Sequence, residues 1–341
     1  LEDSLMDFRP VEYRGTVMTE EEILKLFYYK FTETPLLKRM DLVRDYFIDE
    51  WETLRGRNIS DDDKLLLQQK FDKMYVTKDL YRIYCQLLEE CGLDPLSGAE
   101  YERRKIPYED VFPMLYLKYR LKGKNEHRNI KHLVIDEMQD YSYLQYVILH
   151  TLFSCRMTIL GDKAQTLDET MRDVLLFLPK IFGKKMRTIV LNKSYRNTVE
   201  IATYAGAINQ TTDLELLDRH GKAVEEVHFS EEESMLKAIG ENLNVGENGY
   251  ETAAVIAMTE EKARELYELL KRRGIQASYI DRDTSVFERG LTVTTFYLAK
   301  GLEFDQVFSV FEEEENPLMT QAKYICATRA LHELYMYEVV K

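Results

Sequence analysis

Residues His132-Leu133-Val134-Ile135-Asp136-Glu137-Met138-Gln139-Asp140 narrow the choice of fold more than any other stretch, because a short apolar run stops at two adjacent carboxylates. A second run, Met157 to Leu160, stops at Gly161-Asp162. Apolar runs of about four to six residues have the length of strands buried in a parallel sheet, and the interval from Asp136 to Asp162 matches one right-handed βαβ unit. Acids at the C-terminal edge of such strands lie in the crevice where open α/β sheets bind ligands. Two polar loops side by side in that crevice favour a site for a magnesium-bound nucleotide.

With 341 residues the chain can hold two or three domains. A hydrophobic share of 45%, with 7 Pro and 15 Gly, fits a well-packed, helix-rich protein rather than a disordered one. No apolar run approaches the roughly 18 residues of a membrane span, so the expectation is a soluble protein with no membrane partner. Cys85, Cys91, Cys155 and Cys326 form no C-x-x-C pair, which points to free thiols in a cytoplasmic protein rather than to disulfides or zinc. His127 and His132, five apart on a polar segment, do not read as metal ligands. No signal peptide is visible, and a first residue Leu1 rather than Met leads us to expect an excised fragment or a processed product.

A net charge of -14 argues against a protein that grips nucleic acid with its whole surface. Basic groups nevertheless cluster: Lys118, Arg120, Lys122, Lys124, Arg128 and Lys131 follow Arg103-Arg104-Lys105, and Lys184, Lys185 and Arg187 form a second group. Their default reading is a solvated face.

Residues 1–128 read mostly as helix and as an accessory domain. Met40, Val43, Phe47, Trp51 and Leu54 recur at helical spacing behind Thr34 as N-cap and Pro35 in the first turn. Ser60 opens a further helix, and Leu80, Ile83, Tyr84, Leu87 and Leu88 make a face that ends before Gly92. From about Ile130 short apolar runs alternate with helices, the pattern of a parallel sheet. Predicted strands are Leu133 to Asp136, Met157 to Leu160, Thr188 to Leu191, Ala253 to Ala257, Leu291 to Thr295, Val307 to Phe311 and Leu334 to Val339. A helix is expected between Thr259 and Gly274, with acids at its start and Lys271, Arg272 and Arg273 at its end. The run Glu312 to Glu315 reads as a solvated loop.

Magnesium takes few carboxylates and keeps several waters. Asp136 could hold one such water or the ion, leaving Glu137 to accept a proton from an attacking water. In Gly161-Asp162-Lys163-Ala164-Gln165 the amide of Gln165 suits a sensor that bonds both that water and a phosphate oxygen. Ser194-Tyr195-Arg196 pairs an aromatic face with a guanidinium, and an arginine stays ionised and binds phosphate bidentately.

Further on come Lys300-Gly301-Leu302-Glu303-Phe304-Asp305 and Ala327-Thr328-Arg329-Ala330. The series D-E-x-Q-D, G-D-x-x-Q, S-Y-R, K-G-L-E-F-D and A-T-R-A, in this order, resembles motifs II to VI of the superfamily 1 helicases similar to UvrD, Rep and PcrA. The resemblance covers residues 130–341. It implies two RecA-like parallel-sheet motor lobes, the first partial (129–186) and the second complete (187–341), with ATP and Mg2+ between them. It also implies that Asp136 and Glu137 serve magnesium and water, that Gln165 senses the γ-phosphate, and that Tyr195 stacks on adenine. Arg196 and Arg329 would act as arginine fingers, Gly301 and Glu303 would meet the nucleotide, with Glu303 at the ribose, and Thr295 and Tyr297 would touch single-stranded or forked DNA.

Three departures follow. No G-x-x-x-x-G-K-[ST] run occurs, since Gly123-Lys124, Gly183-Lys184 and Gly221-Lys222 all lack the earlier glycine. Without those amides and that lysine triphosphate affinity should collapse, so a missing N-terminal motor segment of the same protein is the expected partner. Thr166-Leu167-Asp168-Glu169 stands where base-stacking aromatics are usual, and Tyr297 replaces the usual His. Fewer than a hundred residues separate Arg196 from Thr292, a compactness closer to HelD, a helicase-like relative that releases and recycles RNA polymerase. A helicase or translocase, a HelD-like ATPase and a non-hydrolysing partner-binding remnant are the readings carried forward. Intact Glu137, Arg196 and Arg329 speak against the last.

Overall fold

The computed structural model describes residues 1–124, 127–166, 173–183, 186–210, 214–284, 288–312 and 316–340. The chain divides into two units, Leu1–Leu133 with Ser142–Thr158, and Val134–Tyr141 with Ile159–Lys341.

The first unit opens with a hairpin, β1 (Val11–Tyr13) and β2 (Thr16–Met18), which the sequence reading missed. Its two-residue turn, Arg14-Gly15, takes positive φ at both positions, matching the twist of the paired strands. Helices follow: α1 (Glu20–Lys25), α2 (Leu36–Arg55), α3 (Asp61–Asp72), α4 (Leu80–Glu90) and α5 (Tyr108–Lys122). Local chemistry sets their starts. Thr19 and Glu22 form a capping box, and the Ser60 and Asp79 side chains accept from the amides of Asp63 and Tyr81. The Thr34 cap does not form: Pro35 takes the N-cap position, and no side chain caps the helix. Met40, Val43, Phe47 and Trp51 of α2 share one buried cluster with Phe27, Phe71 and Leu117.

Two strands, β3 (His132–Ile135) and β4 (Arg156–Ile159), pair with each other and are joined through α6 (Tyr143–Leu152), which opens on a Ser142/Gln145 capping box.

Beyond them the second unit contains α7 (Val174–Phe182), β5 (Lys193–Ser194), α8 (Val199–Ile208), β6 (Glu215–Leu216), β7 (Glu225–Phe229), α9 (Glu232–Asn242), β8 (Thr252–Ala257), α10 (Glu260–Arg272), β9 (Ala277–Tyr279), β10 (Gly290–Thr295), β11 (Phe304–Glu312), α11 (Met319–Arg329) and β12 (Ala330–Val339). Six strands form a sheet in the order β7-β12-β11-β8-β10-β9, and every adjacent pair is parallel. Apolar side chains from α8 and α11 cover one face, and those from α9 and α10 cover the other. Burial on both faces explains the unbroken apolar run of β8, and in β10 it takes in Thr292, Thr294 and Thr295 beside Leu291 and Val293. This is the α/β class expected for a RecA-like lobe.

The strand predicted at Thr188 to Leu191 does not form. Ile189, Val190 and Leu191 are 68%, 81% and 85% exposed. Their β-branched, apolar composition favours an extended chain, but a strand exists only where a neighbour takes its amides and carbonyls. The Asp168-Glu169 and Lys184-Lys185 readings, and most of the Glu312 to Glu315 loop, lie outside the described residues.

Candidate active site

The loop after β3 meets the loop after β4 at a glycine. A Cβ on Gly161 would lie 2.5 Å from Oε1 of Gln139 and 2.6 Å from the Met138 nitrogen, so only glycine permits this approach. Gln139, buried, joins the two loops: Nε2 donates to Oε2 of Glu137 at 2.6 Å, and Oε1 accepts from the Asp162 amide at 3.1 Å. The Met138 amide donates to the Leu160 carbonyl at 2.8 Å. Asp136 is exposed, and Oδ1 accepts from the Glu137 amide at 2.8 Å.

Glu137 has φ 52 and ψ 51, left-handed values that side chains other than glycine seldom adopt. Such strain persists only where the surroundings hold it, and it concentrates at working sites.

Gln165 is held through its side chain and its backbone. Its Nε2 donates to Asp162 Oδ2 at 3.1 Å, its Oε1 accepts from Arg329 Nη2 at 3.1 Å, and its carbonyl accepts from Lys300 Nζ at 3.0 Å. Lys300 also donates to Asp140 Oδ1 at 2.5 Å and lies 3.9 Å from Glu137 Oε2, with its side chain only 7% exposed. Gly301, at φ 82, turns the chain between Lys300 and Glu303, and at that φ any other residue would be strained. Tyr324 on α11 donates to Asp162 Oδ2 at 3.0 Å, and burial, then the Asp162 charge, raises its phenol above the ordinary tyrosine range.

Arg329 is 2% exposed. Its Nη1 donates to the Leu302 carbonyl at 3.2 Å, while Nε is buried with no partner. Burial, then the like charge of Arg196, pulls its pKa below the usual guanidinium value, and Glu137 and Glu303 oppose the shift. Arg196 pairs through Nε with Glu303 Oε1 at 2.7 Å. Beside it Tyr195 is 61% exposed. Carboxylates, two amides and three cations, scattered from Asp136 to Arg329 in sequence, thus interact within one unit.

The two predicted nucleic-acid contacts behave differently. Thr295, at the end of β10, is 1% exposed and offers no surface to a strand, because the parallel sheet buries that register position. Tyr297 is half-buried and donates to Glu260 Oε1 at 2.8 Å. Gln139, Asp140, Asp162, Lys300 and Tyr324 were not assigned roles from sequence. All but Tyr324 lie inside the motifs D-E-x-Q-D, G-D-x-x-Q and K-G-L-E-F-D, which was the available signal.

Among the described residues no three His, Cys, Asp or Glu side chains converge to hold a metal alone, and no helix is long and apolar enough to cross a membrane.

No known family matches the chain, and no curated protein does. Among solved structures, the chain is similar to the C-terminal domain of a possible DNA helicase from Lactobacillus plantarum WCFS1, at 26% identity over 43% of this chain and 88% of that one, with a TM-score of 0.33. It is also similar to the PRRSV helicase, at 14% identity over 76% of this chain and 45% of that one, TM-score 0.34. A third likeness is to arterivirus nonstructural protein 10, a helicase solved with DNA, at 16% identity over 76% and 51%, TM-score 0.36. The chain spans about half the length of the two viral proteins.

Proposed function

We propose that the second unit is the C-terminal motor portion of an ATP-driven nucleic-acid helicase or translocase of the UvrD-like group, acting on single-stranded or forked DNA. The observation that carries this reading is the bond between Arg329 and Gln165, which joins the last motif of the series to the second.

A magnesium triphosphate suits the donor set. The buried, unpartnered Nε of Arg329 can serve a phosphate oxygen, and Asp136 is an exposed carboxylate of the kind magnesium uses together with phosphate and water. Bound magnesium would neutralise phosphate charge. Glu137, held in place by Gln139, would accept the proton of the attacking water. Gln165 would orient that water, and Arg196 and Arg329 would stabilise charge on the transferring phosphoryl group. Tyr195 has an open ring for the adenine, and Glu303 would receive the ribose after exchanging Arg196 for it. Thr295 is left out of the nucleic-acid contact, while Tyr297 keeps that role.

The chain contains no G-x-x-x-x-G-K-[ST] run, so turnover requires that a phosphate-binding loop be supplied by another segment. The purified 341-residue chain should therefore hydrolyse ATP negligibly. Robust turnover stimulated by nucleic acid would overturn this part of the reading.

A second reading is a HelD-like ATPase that frees RNA polymerase, and two observations favour it. The net charge of -14 suits a basic protein surface better than DNA. The segment between Arg196 and Thr292 is too short for a large inserted domain. Strand-unwinding assays set against co-purification with RNA polymerase separate the two.

A further inference from the structure

Part of the basic run that begins on α5 lines a cleft. In the first unit a cleft of about 1110 Å3 opens between the start of α2, the end of α5 and the segment that follows α5. Lys38, Arg120, Lys124 and Arg128 line it, with half-buried Tyr116 and Tyr119 on one wall. Among the described residues neither Lys38 nor Arg120 makes an ion pair, and Lys124 donates to the Thr151 carbonyl at 3.0 Å. The acids on the lining are Glu2, 3.7 Å from Arg39, and Glu33.

The start of α2 adds to this. No side chain caps its first amides, its first turn carries no acid, and Lys38 and Arg39 stand there instead. Cations at a helix N-terminus oppose its dipole, so an anion in the cleft would relieve both the dipole and the lysine. Arg39 is buried and spends its donors on the Thr32 and Thr34 carbonyls, at 2.9 and 2.8 Å, which fixes the loop that forms the rim.

We propose that this cleft seats the phosphate backbone of a nucleic-acid strand, with Lys38, Arg120, Lys124 and Arg128 on phosphates and Tyr116 and Tyr119 beside the bases. Its volume exceeds the roughly 300 to 1,000 Å3 of small-molecule sites, which favours a stretch of polymer over a single small anion. The two tyrosines favour a strand with unpaired bases over a base-free polyanion. On an acidic chain, several cations gathered along one cleft favour a strand there over the more negative remainder of the surface. The seat uses no residue of the nucleotide cluster, so it stands or falls separately from the proposed motor.

The test uses the full chain and a fluorescein-labelled single-stranded DNA 12-mer, titrated by anisotropy at several salt concentrations. The triple variant Lys38→Gln, Arg120→Gln, Arg128→Gln should bind at least about 10-fold more weakly at 0.1 M salt. The slope of log affinity against log salt should fall by about 2, since each phosphate contact contributes about 0.7 for single strands. A photo-reactive 12-mer should cross-link to residues 108–124. If the triple variant loses its melting transition, the single variants Lys38→Gln and Arg120→Gln, at exposed positions, should each lower the slope by about 0.7. Unchanged affinity and slope in the variants, no binding by the parent chain, cross-links confined to residues 159–340, or equal affinity per phosphate for inorganic polyphosphate would each overturn the assignment.

Discussion

Lys300 reaches Asp140 at 2.5 Å and Glu137 at 3.9 Å while almost wholly buried, and so holds the loop after β3 against the turn that precedes β11. An exposed ion pair contributes roughly 0 to 1 kcal/mol, and breaking a buried one costs about 3 to 5 kcal/mol. Because Asp140 remains 39% exposed, Lys300→Met should destabilise the chain by an intermediate amount, about 1 to 2 kcal/mol. A double-mutant cycle with Asp140→Asn, followed by urea unfolding, measures the coupling. Additive effects would mean that the pair contributes nothing.

Arg329→Ala should lower ATP turnover of the complete motor by on the order of 10³, as loss of an arginine finger does. Binding of nucleic acid should change little. The measurement is steady-state hydrolysis with saturating DNA, and a parental rate would remove Arg329 from the site.

Glu137→Gln keeps the size of the side chain but cannot take a proton. Turnover should fall by about 10² to 10⁴ while nucleotide affinity is retained. If affinity collapses along with turnover, Glu137 acts on binding and the assignment as base is wrong.

Gly161→Ala places a methyl group 2.5 Å from Gln139 and Met138, where backbone as well as side chain must give way. The cost should be about 1 to 3 kcal/mol, as for overpacking of a filled site. Gly98→Ala, which meets nothing within 4 Å, is the control and should be near neutral. Equal stabilities from urea titration would show that the two loops do not pack as described.

The His220 ring bonds Glu200 at 2.8 Å and lies 3.2 Å from Asp218. Glu200 raises the His220 pKa above its ordinary 6.5, and His220 with the Gly221 amide lowers the Glu200 pKa from 4.5 to about 2. Stability from the raised histidine is present in full below 6.5 and lost as pH rises through its folded value; that from the depressed glutamate is present above 4.5 and lost as pH falls toward 2. The stability difference between the parent chain and His220→Gln should therefore be largest between about pH 4.5 and 6.5 and vanish by pH 9. A difference that persists at pH 9 would mean that the neutral ring is what matters.

Much of the second unit could be read directly from the residues. Ala253 to Ala257 announces itself because burial on both faces leaves no polar interruption, and Leu291 to Thr295 does so because valine and threonine are β-branched and suit a strand. The helix ending at Arg272 was legible because acids, bases and Gly274 mark its ends by the helix dipole and by positive φ. The hairpin at Val11–Met18 was not, since three-residue strands carry too little alternation. Edge strands β7 and β9 hid for a related reason: polar residues such as exposed His228 and half-buried Ser278 break the apolar run. In the candidate site, the carboxylates and arginines were visible as residue types at strand ends. The partnerships were not, because Arg196 with Glu303 and Lys300 with Asp140 depend on folding over more than a hundred residues.

Ile189, Val190 and Leu191 stand bare on the surface, three adjacent apolar side chains whose amides and carbonyls join no ladder among the described residues. Such a ribbon is adhesive: at high concentration one copy can add to another edge to edge, as unprotected strands do in aggregates. A lysine placed at Val190 would interrupt the ribbon with a charge and so lower that tendency.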